Sequence, residues 1–144
     1  MPLHRAAYEL DLRSFKLYLS SRPERDRNQT LEVRNHGGET LLHFASARCC
    51  IETIEFLIGQ GLDINAVNSN GWTPLTCALV PTEKVTLRGR NTTAIAEAVR
   101  AARLLLSRGA EAAKTTDEGW TPLHCLALHH DGDRNGLGAE LATA

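Results

Sequence analysis

With 144 residues, the chain has room for one domain or a short array, and its 16 basic and 17 acidic side chains leave a net charge of only −1. That balance makes no electrostatic case for nucleic acid or an anionic membrane surface. Apolar residues make up 42% but aromatics only 5%, so Ala and Leu carry the core, and no run reaches the roughly 20 apolar residues of a membrane span.

The chain opens on Met1-Pro2-Leu3-His4, and variants of that phrase return as Thr40-Leu41-Leu42-His43, Thr73-Pro74-Leu75-Thr76 and Thr121-Pro122-Leu123-His124. The last position of the phrase recurs after 39, 33 and 48 residues, a 33-residue period lengthened once by 6 and once by 15. A period of this size predicts stacked units, each too small to bury its own apolar face. The opening lacks an apolar signal-peptide core, and Cys49, Cys50, Cys77 and Cys125 all lie inside the pattern. Reduced thiols in an intracellular compartment, cytoplasmic and/or nuclear, are therefore expected.

In the first unit, Leu17-Tyr18-Leu19 runs into a polar stretch from Ser20 to Asn28, which holds the 6 extra residues and reads as a solvated loop. Leu31 and Val33 are expected to resume an extended finger. The second unit is the clearest. Thr40 is a helix N-cap, and Leu42, His43, Ala45 and Ser46 form a short helix that ends at Arg48-Cys49-Cys50. A second helix follows from Ile51 to Ile58, with Ile54, Phe56, Leu57 and Ile58 inward and Glu52 and Glu55 outward. Gly61 suits a left-handed helix end. Leu62 to Ala66 is extended, and Asn68 to Gly71 is a turn.

The third unit starts with Thr73 and with Pro74 at the first helical position, where a missing N–H costs nothing. Its first helix stops at Pro81, so the 15 inserted residues precede its second helix. Pro81 to Asn91 reads as a loop, and Thr92 or Thr93 as the cap of a helix from Ala94 to about Ser107. Arg88-Gly89-Arg90-Asn91-Thr92-Thr93 fits a basophilic kinase pattern, and phosphate at a helix start is electrostatically favoured. A basic loop with a capping threonine is the preferred reading, with Thr93 kept as a modification candidate. In the fourth unit, Thr121 and Pro122 repeat the start, but after His130 no leucine-rich segment or closing glycine follows. An incomplete last unit is expected to belong to a longer array, or to expose a C-terminal face that takes further repeats or a second copy.

No dinucleotide, P-loop, zincin or nucleophile-elbow motif occurs, and no catalytic residue or cofactor is expected. His124, Cys125, His129 and His130 are dense enough to consider for zinc, but no second chelating pair completes a site. No metal is expected. Arg88, Arg90, Arg100, Arg103 and Arg108 are interspersed with acids such as Glu97 and Glu111, so no nucleic-acid or membrane partner is expected either.

The unit resembles the ankyrin repeat. Gly71-Trp72-Thr73-Pro74-Leu75 and Gly119-Trp120-Thr121-Pro122-Leu123-His124 match its opening. Phe56-Leu57-Ile58-Gly59-Gln60-Gly61-Leu62-Asp63-Ile64-Asn65 and Leu104-Leu105-Leu106-Ser107-Arg108-Gly109-Ala110-Glu111 match its close. The resemblance implies an all-α solenoid of helix-turn-helix units with short β-like fingers, over approximate repeats 1–37, 38–70, 71–118 and 119–144. It also implies that His4, His43 and His124 tie helix starts to backbone rather than catalyse. Asn65 lies in a segment similar to those that asparaginyl hydroxylases modify in ankyrin arrays. A finger asparagine bonding its own turn is the preferred reading there.

For function, the resemblance implies a non-catalytic module that binds a partner protein on its concave side. By register, the finger tips are His36 and Glu39; Ser69, Asn70 and Trp72; and Asp117, Glu118 and Trp120. Inner-helix candidates are Tyr8 and Glu9, Ala47 and Arg48, Val80, and Leu128 with His129. Trp72 and Trp120 hold equivalent positions and are either partner anchors or finger packing. The alternative function is an accessory segment that recruits substrate for a larger enzyme or regulator.

Overall fold

A computed structural model of the chain describes residues 12–80 and 92–127, with side chains from 96 and up to 125 in the helices at the inner edges of those spans. Its helices are α1 (Leu12–Ser20), α2 (Glu24–Leu31), α3 (Leu41–Ala47), α4 (Ile51–Gly59), α5 (Pro74–Leu79), α6 (Thr92–Ser107) and α7 (Pro122–Ala127). Among the described residues there is no strand. Short helices α3, α5 and α7 form an inner row in which α5 packs against both neighbours, while α4 and α6 pack behind them.

Each short helix begins where the sequence puts a threonine. Thr40 and Thr73 are in extended backbone, and their Oγ1 atoms accept from the His43 and Thr76 amides at 3.4 and 3.3 Å. Pro74 occupies the first helical position. The last turns close by a shared device. Gly61 donates to Ile58 O at 3.0 Å and Leu62 to Leu57 O at 3.4 Å; Gly109 and Ala110 repeat this with Leu106 and Leu105. That paired closure needs a left-handed residue, and Gly61 supplies φ 90°. Cys49 closes α3 in the same way, bonding Ser46 O at 2.9 Å with φ 57°.

The core is aliphatic and runs along the stack. Leu41, Leu42, Ile54, Leu57, Leu75, Leu79 and Leu105 are fully buried, with Ala45, Ala101 and Ala102 between them. Each buried leucine contributes about 1.5–3 kcal/mol relative to exposure, and the alanines let neighbouring helices approach. Phe15 of α1 meets Phe56 of α4 edge-on at 6.0 Å.

Two expectations change. The polar stretch after Ser20 is a helix, α2, instead of a loop, and Leu31 ends it in the core instead of opening a finger. Glu24 and Asp26 lie in its first turn, where acidic groups complement the helix dipole. Arg27 explains why it is kept: its Nε donates to Leu19 O at 3.1 Å, meeting a carbonyl at the end of α1. Helix α6 begins at Thr92, so Thr92 and Thr93 stand inside its first turn rather than before it. The segment from Pro81 to Asn91 and the end of the chain from Leu128 lie outside the described residues.

Candidate binding face

Among the described residues, the fingers are three copies of one turn. The Asn35 amide donates to Glu39 O at 3.1 Å, that of Asn68 to Trp72 O at 3.0 Å, and that of Thr116 to Trp120 O at 2.8 Å. Side chains at the first position reinforce each turn. Asn35 Oδ1 accepts from the Gly37 and Glu39 amides, Asn68 Oδ1 from those of Asn70 and Trp72, and Thr116 Oγ1 from Trp120 N–H. Neighbouring fingers are joined tip to tip by single main-chain bonds, Ser69 N–H to Gly37 O at 2.9 Å and Asp117 N–H to Asn70 O at 3.0 Å.

Histidine links the finger row to the helices. The Thr40 amide donates to His43 Nδ1 at 3.1 Å, and His43 Nε2 lies 2.8 Å from Trp72 O. A carbonyl only accepts, so Nε2 carries the proton and the neutral ring fits both contacts. Burial holds the His43 pKa below its ordinary value, against the opposing pull of the Trp72 carbonyl and Glu39. Thr121 and His124 repeat the first half of this arrangement, with amide to Nδ1 at 3.1 Å. At the equivalent place in the third unit stands Thr76, whose Oγ1 stays 3.2 Å from Thr73 Oγ1.

Between the fingers and the short helices lies an open, largely apolar pocket of about 250 Å3. It is lined by Glu39, His43, Phe44, Ala47, Trp72, Cys77 and Val80. Four residues expected on the binding face, Glu39, Ala47, Trp72 and Val80, therefore meet at one place. His36, Ser69, Asn70, Asp117 and Glu118 are exposed finger residues away from the pocket, and Arg48 is half-buried at the end of α3. Trp120 is not brought to Trp72. Its ring meets His124 edge-on at 5.9 Å. His4, Tyr8, Glu9, Leu128 and His129 lie outside the described residues, as does the Thr93 side chain.

The repeated closure, finger and helix start match a known pattern. Ankyrin repeats (many copies) describes the family whose profile covers residues 42–80 and 93–134, more than half of the chain. The chain belongs to the ankyrin-repeat family. Among curated proteins, no relative matches it. Ankyrin repeats are generally protein–protein interaction modules and typically non-catalytic. No described helix is long and apolar enough to cross a membrane, and no group of three or more His, Cys, Asp or Glu among the described residues could hold a metal ion.

Within this ankyrin array, sequence reasoning missed several contributors. Phe44 and Cys77 line the pocket because they share one register position, 33 residues apart. Arg34 ties two fingers, its Nη1 donating to Val67 O at 2.7 Å and Gly38 O at 3.1 Å. Asn65 bonds the neighbouring unit instead of its own turn only: its Nδ2 donates to Gly109 O at 3.2 Å and its Oδ1 accepts from Glu111 N–H at 2.8 Å. Gly109 and Glu111 are the register counterparts of Gly61 and Asp63, so a one-unit motif search could not pair them with Asn65. Burial pushes the thiols of Cys49 and Cys77 up to about 12, far from the range of a reactive thiolate.

Proposed function

We propose that this ankyrin array is a non-catalytic adaptor that seats one apolar side chain of a partner protein in the pocket under Trp72. The observation that carries this reading is the convergence of Trp72, Phe44, Ala47, Val80 and Cys77 on an open cavity of about 250 Å3 beside the finger row. A cavity of that size falls just short of the range of drug-sized ligand sites and suits a single leucine or aromatic side chain. Trp72 supplies a large, stiff apolar wall, of the kind enriched at interface hot spots. The exposed finger tips, His36, Ser69, Asn70, Asp117 and Glu118, form a polar rim outside such an anchor, and Trp120 is a separate contact further along the row. Thiols packed as small apolar groups fit a reducing, intracellular compartment.

The test is affinity capture from native lysate with the wild-type chain, Trp72→Ala and Val80→Arg, each first checked by circular dichroism. The protein retained by the wild type should be lost at least tenfold by both variants while helicity is kept. Retention by a folded Val80→Arg protein would move the binding face elsewhere.

A further inference from the structure

The pocket under Trp72 carries charge of one sign. Its walls hold one carboxylate, Glu39, and no lysine or arginine. Glu39 Oε2 accepts from Asn35 Nδ2 at 2.7 Å, which keeps the carboxylate at the end of the first finger. Two other walls feel its charge. At His43, burial lowers the pKa, and Glu39 pulls upward more strongly than Arg34 pulls down. At Cys77, burial pushes the thiol up to about 12 and Glu39 adds to the rise. Both effects have the sign of a field that attracts cations. Of the neighbouring arginines, Arg34 donates through Nη1 to Gly38 O and Val67 O, and Arg48 stands at the opposite end of α3. Further along the row the sign is the same. Within the tip stretches 36–39, 69–72 and 117–120, Glu39, Asp117 and Glu118 are the only Asp, Glu, Lys or Arg residues, and the last two are exposed.

We propose that the partner segment seated under Trp72 is a basic peptide, with a Lys or Arg beside its apolar anchor paired to Glu39 and a second basic residue at Asp117 and Glu118. The inference rests on the pocket reading above and adds the partner's charge to it. Packed helices lie about 8–10 Å apart and an extended chain rises about 3.3 Å per residue, so about three residues cross one unit. The second basic residue therefore follows the anchor by about three positions, on the side away from Glu39. Arginine suits the Glu39 place, since its planar fork pairs with a carboxylate and stacks on an aromatic wall. Exposed ion pairs alone contribute little, so the apolar anchor supplies most of the affinity. The carboxylates select among anchors, because an acidic neighbour would set like charge against Glu39.

The test is selection from a displayed library of random peptides of about twelve residues, which reach about 40 Å when extended, on the full chain. Enriched peptides are then made synthetically and titrated against the wild type, Trp72→Ala, Glu39→Gln and Glu118→Gln, each first checked by circular dichroism. Glutamine keeps an oxygen acceptor for Asn35, and Glu118 is exposed, so both charge variants retain the contacts of the fold. Enriched sequences should share an apolar residue with Lys or Arg next to it. Their affinity should fall about tenfold in Trp72→Ala, about fivefold in each charge variant, and further as salt shortens the reach of charge. Apolar peptides without basic flanks, lost in Trp72→Ala but unchanged in Glu39→Gln, would overturn this inference and leave the pocket reading standing. Basic peptides indifferent to Trp72→Ala would overturn it in favour of attraction to the acidic tips alone. No enrichment, or enrichment blocked by concentration-dependent dimerisation of the chain, would overturn the inference and the pocket reading together.

Discussion

His43 uses both ring nitrogens, and this dictates the protonation state that the fold accepts. A second proton would have to sit on Nδ1, facing the Thr40 N–H that now donates to it. Burial already depresses the folded pKa below 6.5, so the unfolded chain binds the proton more readily than the folded one. The resulting stability is full above the unfolded value and is lost as pH falls from there through the lower folded value. Thermal melts from about pH 8 down to about pH 5.5 should show the midpoint falling with pH. His43→Ala should be less stable at the upper end by about 2 kcal/mol, from two lost hydrogen bonds and a cavity, and should show a flatter pH response. An unchanged slope in the variant would mean that His43 does not carry the pH effect.

At the scale of the element, the finger turn depends on how near its neighbour passes. Gly61 and Gly71 both have left-handed backbone, φ 90° and 76°. A Cβ at 61 would meet nothing within 4 Å, whereas at 71 it would lie 2.6 Å from Asp117 Oδ1 and 2.9 Å from Asp117 N. Gly61→Ala should cost about 1 kcal/mol from backbone conformation alone. Gly71→Ala adds a steric conflict with the next finger and should cost about 3 kcal/mol in urea melts. Equal costs would mean that the fingers can part without penalty. The local grammar of these elements was readable in the sequence: Thr40, Thr73, Pro74 and Gly61 act on groups within a few residues of themselves. Helix α2 was not readable, because Arg27 gains its role from carbonyls of α1 that a linear reading does not bring near it. Cys49 was missed for a related reason. Its left-handed closure of α3 is made at a residue type that seldom adopts that conformation, so the position carries no glycine to announce it.

Across the whole molecule, the links between units include main-chain bonds between finger tips, the histidine bridge from helix to finger, and the side-chain bonds of Arg34 and Asn65. The tip bonds recur at both described junctions, but the bridge occurs at the second unit and is replaced by Thr76 at the third. Trp120 O already accepts from Thr116 N–H, as Trp72 O accepts from Asn68 N–H, so the same acceptor geometry awaits a ring. Thr76→His should add a bridge to Trp120 O and stabilise the array by about 1 kcal/mol. A lower melting midpoint would show that the buried site around Thr76 has no room for imidazole. The pocket under Trp72 belongs to this scale too. Glu39, Ala47, Trp72 and Val80 were legible as finger and inner-helix positions and Phe44 and Cys77 were not, while their convergence under Trp72, and the separation of Trp120 from it, depend on how consecutive units are rotated against each other.

The tip bond from Asp117 to Asn70 has the same form as that from Ser69 to Gly37, although one unit carries 15 more residues than the other. Distance along the polypeptide and distance along the array are thus separate quantities in this protein. The additional length enters between α5 and α6 and leaves the finger-to-finger bond unchanged. A change of length between α5 and α6 should therefore leave the bond between neighbouring finger tips intact.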